Sequence, residues 1–135
     1  MFTTQSYPIT MKKILLIEDN NDIRENTLEI LQLANYLVVA AENGKVGIEL
    51  ALIEKPDLIL CDITMPRLSG YDVLHILSKR IKLLSVPFIF LSSKAEDSEI
   101  RKGLDSGADA YLTKPFDDSD LLHAVEHQLT EINLE

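Results

Sequence analysis

The sequence predicts an α/β fold, a parallel sheet of five strands with helices on both faces. Two observations point there. Short, nearly continuous apolar runs alternate with stretches whose apolar residues recur every three or four positions, and the alternation repeats five times. Continuous runs suit strands covered on both faces, and the 3.6-residue spacing suits the helices that cover them. Right-handed crossovers then leave few topologies for a doubly wound sheet, of which the flavodoxin-like order 2-1-3-4-5 is favoured.

Lys12 to Ile17 (KKILLI) is the first strand. Ile23, Thr27, Ile30, Leu31 and Ala34 then form one helical stripe, with Asn20 or Asn21 as N-cap. Tyr36 to Ala40 is the second strand, Asn43-Gly44 a turn, and Val46 to Ile53 a second helix stopped near Pro56. Asp57 to Cys61 is the third strand. Pro66 and Gly70 punctuate the loop after it, and Leu74, Leu77 and Ile81 mark the third helix. Val86 to Leu91 is the fourth strand. Glu96 to Ser106 is a short helix ending at Gly107 as C-cap. Ala110 to Leu112 is the fifth strand, and Leu122, Val125, Leu129 and Ile132 are the core stripe of a last helix.

Composition narrows the function. The chain has 135 residues, 46% hydrophobic, which suits one domain with a real core. Its net charge of -9 repels nucleic acid and anionic membranes, so neither is an expected partner. The single cysteine, Cys61, permits no internal disulfide and fits a reducing cytoplasm. The opening MFTTQSYPIT lacks the pattern of a signal peptide, so residues 1–10 are expected to be a flexible tail and 11–135 the domain.

Ligands of such sheets bind beyond the carboxyl ends of the strands, where the strand order reverses. Strand one ends in Glu18 and Asp19, strand three in Asp62, strand four in Ser92 and Ser93, and strand five in Thr113 and Lys114 before Pro115. Three carboxylates in one crevice call for a proton or a cation, and oxygen ligands in an open site suit Mg2+, with Mn2+ as an alternative. The lysine adds a point charge for a further anion, phosphate above all. Metal, ammonium and a carboxylate nucleophile are the parts of phosphoryl transfer.

The motifs IED at 17–19, DLILCDITMPRLSG at 57–70, PFIFLSSKA at 87–95 and GADAYLTKPF at 107–116 resemble the receiver domain of two-component response regulators, of the single-domain, chemotaxis-regulator type. The likeness runs from residue 12 to about 132. The family's strand order is the 2-1-3-4-5 already favoured, so the two expectations are not independent.

The resemblance implies a role for each matching residue. Asp62 is the phosphoacceptor, supplied by a sensor histidine kinase or phosphotransfer protein. Asp19, helped by Glu18, binds Mg2+ together with Asp62 and the backbone carbonyl of Thr64. Lys114 pairs with acceptor and phosphate, and Ser92 and Tyr111 are the switch pair. The Lys114–Pro115 peptide is expected to be cis. Thr64 and Lys94 flank the site and tune the access of water. Lys94 is further expected to contact the phosphoryl group or its water. Output is expected as a change in affinity for a downstream protein, or for a second copy, through the face of helix 4, strand 5 and helix 5.

Other readings are weighed on the same residues. A degenerate receiver acting as a fixed interaction module would lack one or more of Asp19, Asp62, Ser92 and Lys114, and all are present. A phosphatase with an aspartate nucleophile would carry a second acid where Thr64 stands, so a turnover enzyme is not expected. No output domain follows residue 135, so the chain is expected to be a single-domain regulator or the receiver portion of a longer one. His123 and His127 stand at i, i+4 but off the core stripe, and are read as solvated, like His75.

Overall fold

The computed structural model describes residues 11–80 and 86–133, and of 131–133 the backbone alone. Five parallel strands lie in the order β2-β1-β3-β4-β5. They are β1 (Lys13–Ile17), β2 (Leu37–Ala41), β3 (Leu58–Asp62), β4 (Phe88–Ser92) and β5 (Ala110–Thr113). The helices between and after them are α1 (Asn21–Leu33), α2 (Gly44–Glu54), α3 (Gly70–Arg80), α4 (Asp97–Asp105) and α5 (Asp118–Asn133). The expected fold class and order are both observed.

Strand alternation divides the core. Ile14 and Leu16 of β1, Leu58 and Leu60 of β3, and Ile89 and Leu91 of β4 meet α1 and α5 through Ile30, Leu31, Leu121, Val125 and Leu129. The intervening residues Leu15, Ile17, Ile59, Cys61, Phe88 and Phe90 meet α2 and α3 through Ala51, Val73, Leu74 and Leu77. Every residue of β3 and of β4 is buried, which is why these strands read as unbroken apolar runs.

Asparagine caps start the first two helices. Asn20 Oδ1 accepts from Ile23 N at 2.9 Å, so Asn20 is the cap and Asn21 the first helical residue. Asn43 Oδ1 accepts from Val46 N at 2.9 Å, and Gly44, expected in a turn, opens α2 instead. A Cβ on Gly44 would lie 2.9 Å from Leu68 Cβ, so a bare backbone lets the loop after β3 pack there.

Strand ends shift by one or two residues from expectation, β4 running Phe88–Ser92 where Val86–Leu91 is expected, and three details matter for the site and the core. β3 extends to Asp62, which pairs with Leu91, so the acid belongs to the ladder. α4 has Ser106 as its C-cap, and Gly107, with φ 116, comes one residue later. On α5 the buried stripe is Leu121, Val125 and Leu129, with Leu122 half-buried. Residues 1–10 and the side chains of Ile81 and Ile132 lie outside the described residues.

At the lower pole two aspartates clamp neighbouring strands in the same way. Asp57 Oδ2 accepts from Lys13 N at 2.8 Å while its own N–H donates to Lys13 O at 2.7 Å. Asp109 Oδ2 accepts from Phe88 N at 2.8 Å while its N–H donates to Phe88 O at 2.8 Å. These pairs satisfy groups at the starts of β1 and β4. They hold the register that fixes the upper, carboxyl ends.

Candidate functional site

At the carboxyl ends of the strands, β1 runs into buried Glu18 and exposed Asp19, while β3 ends in Asp62, only 5% exposed. The chain after β5 supplies Lys114. Its Nζ donates to Glu18 Oε1 at 2.7 Å and to Asp62 Oδ1 at 3.1 Å. The other Glu18 oxygen, Oε2, accepts from Asn20 N at 3.1 Å. Oxygens of Glu18, Asp19 and Asp62 lie within 4.8 Å of one another. Among the described residues this is the one cluster of at least three potential metal-ligating side chains. Thr64, Ser93, Lys114 and Pro115 line the same cleft.

Hard oxygen donors at one open edge match the preferences of Mg2+, so the donor set fits that ion. The electrostatics agree. Burial, and then the charge of Glu18, push the Asp62 carboxyl from 3.8 up to about 7, although Lys114 pulls it down. For Lys114, burial opposes the charged amine. The bond to Glu18 and the charges of Asp62 and Glu18 outweigh that, and the amine is raised above its ordinary value. An ammonium is therefore held between two carboxylates whose repulsion it only partly cancels. Cys61 shares the neighbourhood but is buried, and burial followed by the charges of Asp62 and Glu18 raises its thiol well above the ordinary range, which makes it a poor nucleophile.

Asp62 is held by its backbone. Ile63 N donates to Leu91 O at 3.0 Å, and Gly70 N donates to Ile63 O at 2.8 Å. A Cβ on Gly70 would lie 2.5 Å from the Asp62 carbonyl oxygen, so the loop after β3 closes onto the acid only through glycine. Lys114 N donates to Ser92 O at 2.8 Å, and the Lys114–Pro115 peptide is cis.

Ser92 is buried at the end of β4, and its hydroxyl oxygen accepts from Lys94 N at 3.1 Å. The Tyr111 hydroxyl donates to Lys94 O at 2.8 Å. Both residues thus bond to the backbone of Lys94. The sequence points to the Lys94 side chain, whereas the bonds that join this residue to Ser92 and Tyr111 are main-chain bonds, which no side-chain motif announces. The Tyr111 ring lies against α4 at Gly103, where a Cβ would come within 2.7 Å of Tyr111 Cδ2.

Two further residues carry no signal in the sequence. Arg24 Nη1 donates to Glu18 O at 2.8 Å. Tyr71, at the start of α3, packs against Phe90 with ring centroids 5.0 Å apart and lies under Lys102 Nζ at 4.9 Å. Among the described residues its hydroxyl is the buried side-chain polar atom without a hydrogen-bond partner. His75, His123 and His127 are exposed, the last two with near-parallel rings 6.3 Å apart. Among the described residues no helix is long and apolar enough to cross a membrane.

Comparison with known proteins gives a consistent result. A family model described as the response regulator receiver domain matches residues 14–126. Transcriptional regulatory protein PdtaR of Mycobacterium tuberculosis is 37% identical over 126 residues, which make up 92% of this chain and 60% of PdtaR. Protein PilH of Pseudomonas aeruginosa is 35% identical over 115 residues, 85% of this chain and 95% of PilH. The structure of the chemotaxis response regulator CheY4 of Vibrio cholerae superposes with a TM-score of 0.83 at 27% identity, covering 88% of this chain and 99% of CheY4. The chain therefore spans less than two thirds of PdtaR and nearly all of PilH.

Proposed function

The chain belongs to the response regulator receiver domain family, and from that premise we propose that it is a phosphorylation-regulated switch of a two-component system with Asp62 as phosphoacceptor. The observation that carries this reading is the Lys114 ammonium shared by Glu18 and Asp62 at the mouth of the cleft, with Asp19 beside them.

An Asp62 carboxylate oxygen attacks the phosphorus of a phosphohistidine on a sensor kinase or phosphotransfer protein. The P–N bond breaks, the imidazole leaves with the electron pair and takes up a proton, and Asp62 becomes an acyl phosphate. Mg2+, or Mn2+, held by Glu18, Asp19, Asp62 and the Thr64 carbonyl would neutralise charge on the phosphoryl oxygens. Lys114 keeps its ammonium through the step and turns from the two carboxylates to the phosphoryl oxygens. The rigid β3 ladder holds Asp62 for in-line attack. Later attack by water on phosphorus returns the carboxylate and inorganic phosphate, so the domain assists its own reactions and turns over no external substrate.

The switch runs through Ser92 and Tyr111. A phosphoryl group on Asp62 draws the Ser92 hydroxyl away from Lys94 N. The Lys94 backbone passes that movement to Tyr111 on the face formed by α4, β5 and α5. Arg101, Lys102 and the Asp117-Asp118 turn give this face mixed charge, suited to a protein partner or a second copy.

The test is intact mass after incubation with acetyl phosphate, with and without Mg2+. One added phosphoryl group is expected, dependent on Mg2+ and absent in Asp62→Asn. No adduct from acetyl phosphate, and none from a panel of phosphorylated histidine kinases, would overturn the assignment.

A further inference from the structure

Arg24 lies outside the residues given a role so far, yet it grips the peptide that joins two of the three acids. Its Nη1 donates to the Glu18 carbonyl oxygen at 2.8 Å and its Nη2 to Asn21 Oδ1 at 2.5 Å. The last sheet pairs of β1 are Ile17 with Ala41 and Ile17 with Cys61, so the Glu18 carbonyl lies just past the ladder. A main-chain acceptor in that place needs a partner from elsewhere, and the first turn of α1 provides it.

The geometry gives that bond a consequence for the site. The Glu18 carbonyl belongs to the peptide plane between Glu18 and Asp19. Its orientation sets the direction in which the Asp19 side chain leaves the backbone. The Glu18 side chain has its own anchors, Lys114 Nζ and Asn20 N. Asp19 is exposed, and its carboxyl meets that of Asp62. A guanidinium bonded at once to the Glu18 carbonyl and to Asn21 fixes the turn on both sides of Asp19, which a planar fork does better than a single ammonium.

We propose that Arg24 is a positioning residue for the metal edge of the cleft, holding the Glu18–Asp19 peptide so that the Asp19 carboxylate stands with those of Glu18 and Asp62. The proposal rests on the Mg2+ reading of that cleft. It also predicts a sign. As a bare charge, Arg24 repels a dication, and its removal would tighten metal binding. As a positioning group it resembles the partners behind metal ligands, whose loss weakens binding by about tenfold or more.

The experiment is calorimetric titration of Mg2+ into the wild type, Asp19→Asn, Arg24→Ala and Arg24→Lys, with thermal melts of each metal-free protein. Wild type is expected to bind and Asp19→Asn to bind far more weakly. Arg24→Ala is expected to bind about tenfold more weakly than wild type. A role confined to stability would lower the metal-free melting temperature and leave the affinity of the folded protein unchanged, and that result overturns the proposal, as does tighter binding. If Arg24→Ala gives no cooperative melt, Arg24→Lys decides. Lysine keeps the charge and loses the fork, so weaker binding supports positioning and wild-type binding overturns it. If the wild type takes up no Mg2+, the metal reading itself fails and the proposal falls with it.

Discussion

Lys114 stands closer to Glu18 than to Asp62, the residue it is proposed to serve, at 2.7 Å against 3.1 Å. The lysine is shared, and Glu18 holds the shorter bond. Glu18 therefore acts on Asp62 twice, repelling its negative charge and competing for its counter-ion. Both actions favour the protonated acid.

The first prediction concerns that proton. In the metal-free protein the Asp62 carboxyl is expected to titrate near 7. Glu18→Gln removes the repelling charge and leaves more of Lys114 to Asp62, so the midpoint falls. Lys114→Met removes the lowering partner, so it rises. Carbon-13 NMR of the aspartate carboxyls across pH 4–9 reads both directions, and an unmoved midpoint in either variant would contradict this account.

Stability should follow with a definite sign. A carboxyl raised from 3.8 to about 7 binds more protons folded than unfolded between those values. Stability conferred by the protonated form is full below about 4 and is lost as pH rises through about 7. Asp62→Asn keeps an uncharged group in place at every pH. Metal-free Asp62→Asn should melt higher than wild type at pH 8. The gap should close at pH 4, and paired melts at the two pH values check this.

Gly70→Ala places a methyl 2.5 Å from the Asp62 carbonyl oxygen and 2.9 Å from Ile63 Cα, both backbone atoms that cannot swing aside. The expected cost is about 1–3 kcal/mol in urea denaturation. Because the displaced strand end carries Asp62, the rate of phosphorylation by acetyl phosphate should fall as well.

Tyr71→Phe deletes a buried hydroxyl that lacks a partner and keeps the ring against Phe90 and Lys102. An unsatisfied buried hydroxyl is costly, so the variant should be more stable by about 1 kcal/mol. A loss of stability in urea denaturation would mean that the hydroxyl has a partner in solution.

Much of this architecture is legible in the residues, for physical reasons. Strands buried on both faces cannot hide their composition, so LILC and FIFL declare themselves, and acids at their ends stand out against that background. Adjacent apolar residues are harder. Leu121 and Leu122 fit the α5 period equally well, and only the angle at which α5 docks on the sheet selects Leu121 for the core. Gly44 resembles a turn residue, yet the reason for glycine there is Leu68, distant in sequence. Arg24 and the Lys94 backbone act through main-chain atoms, which leave no trace in side-chain chemistry. The resemblance supplied the Lys114–Pro115 expectation; residue spacing alone could not.

Because Ser92 and Tyr111 are linked through the N–H and C=O of Lys94, the linkage is indifferent to which side chain occupies position 94. Every amino acid but proline offers the same two backbone groups. A substitution at position 94 therefore changes the side-chain chemistry beside Ser92 and leaves the two bonds to Ser92 and Tyr111 in place. In engineering terms, the side chain at 94 and the path to Tyr111 are separate dials, and under the proposed switch the first can be turned without touching the second.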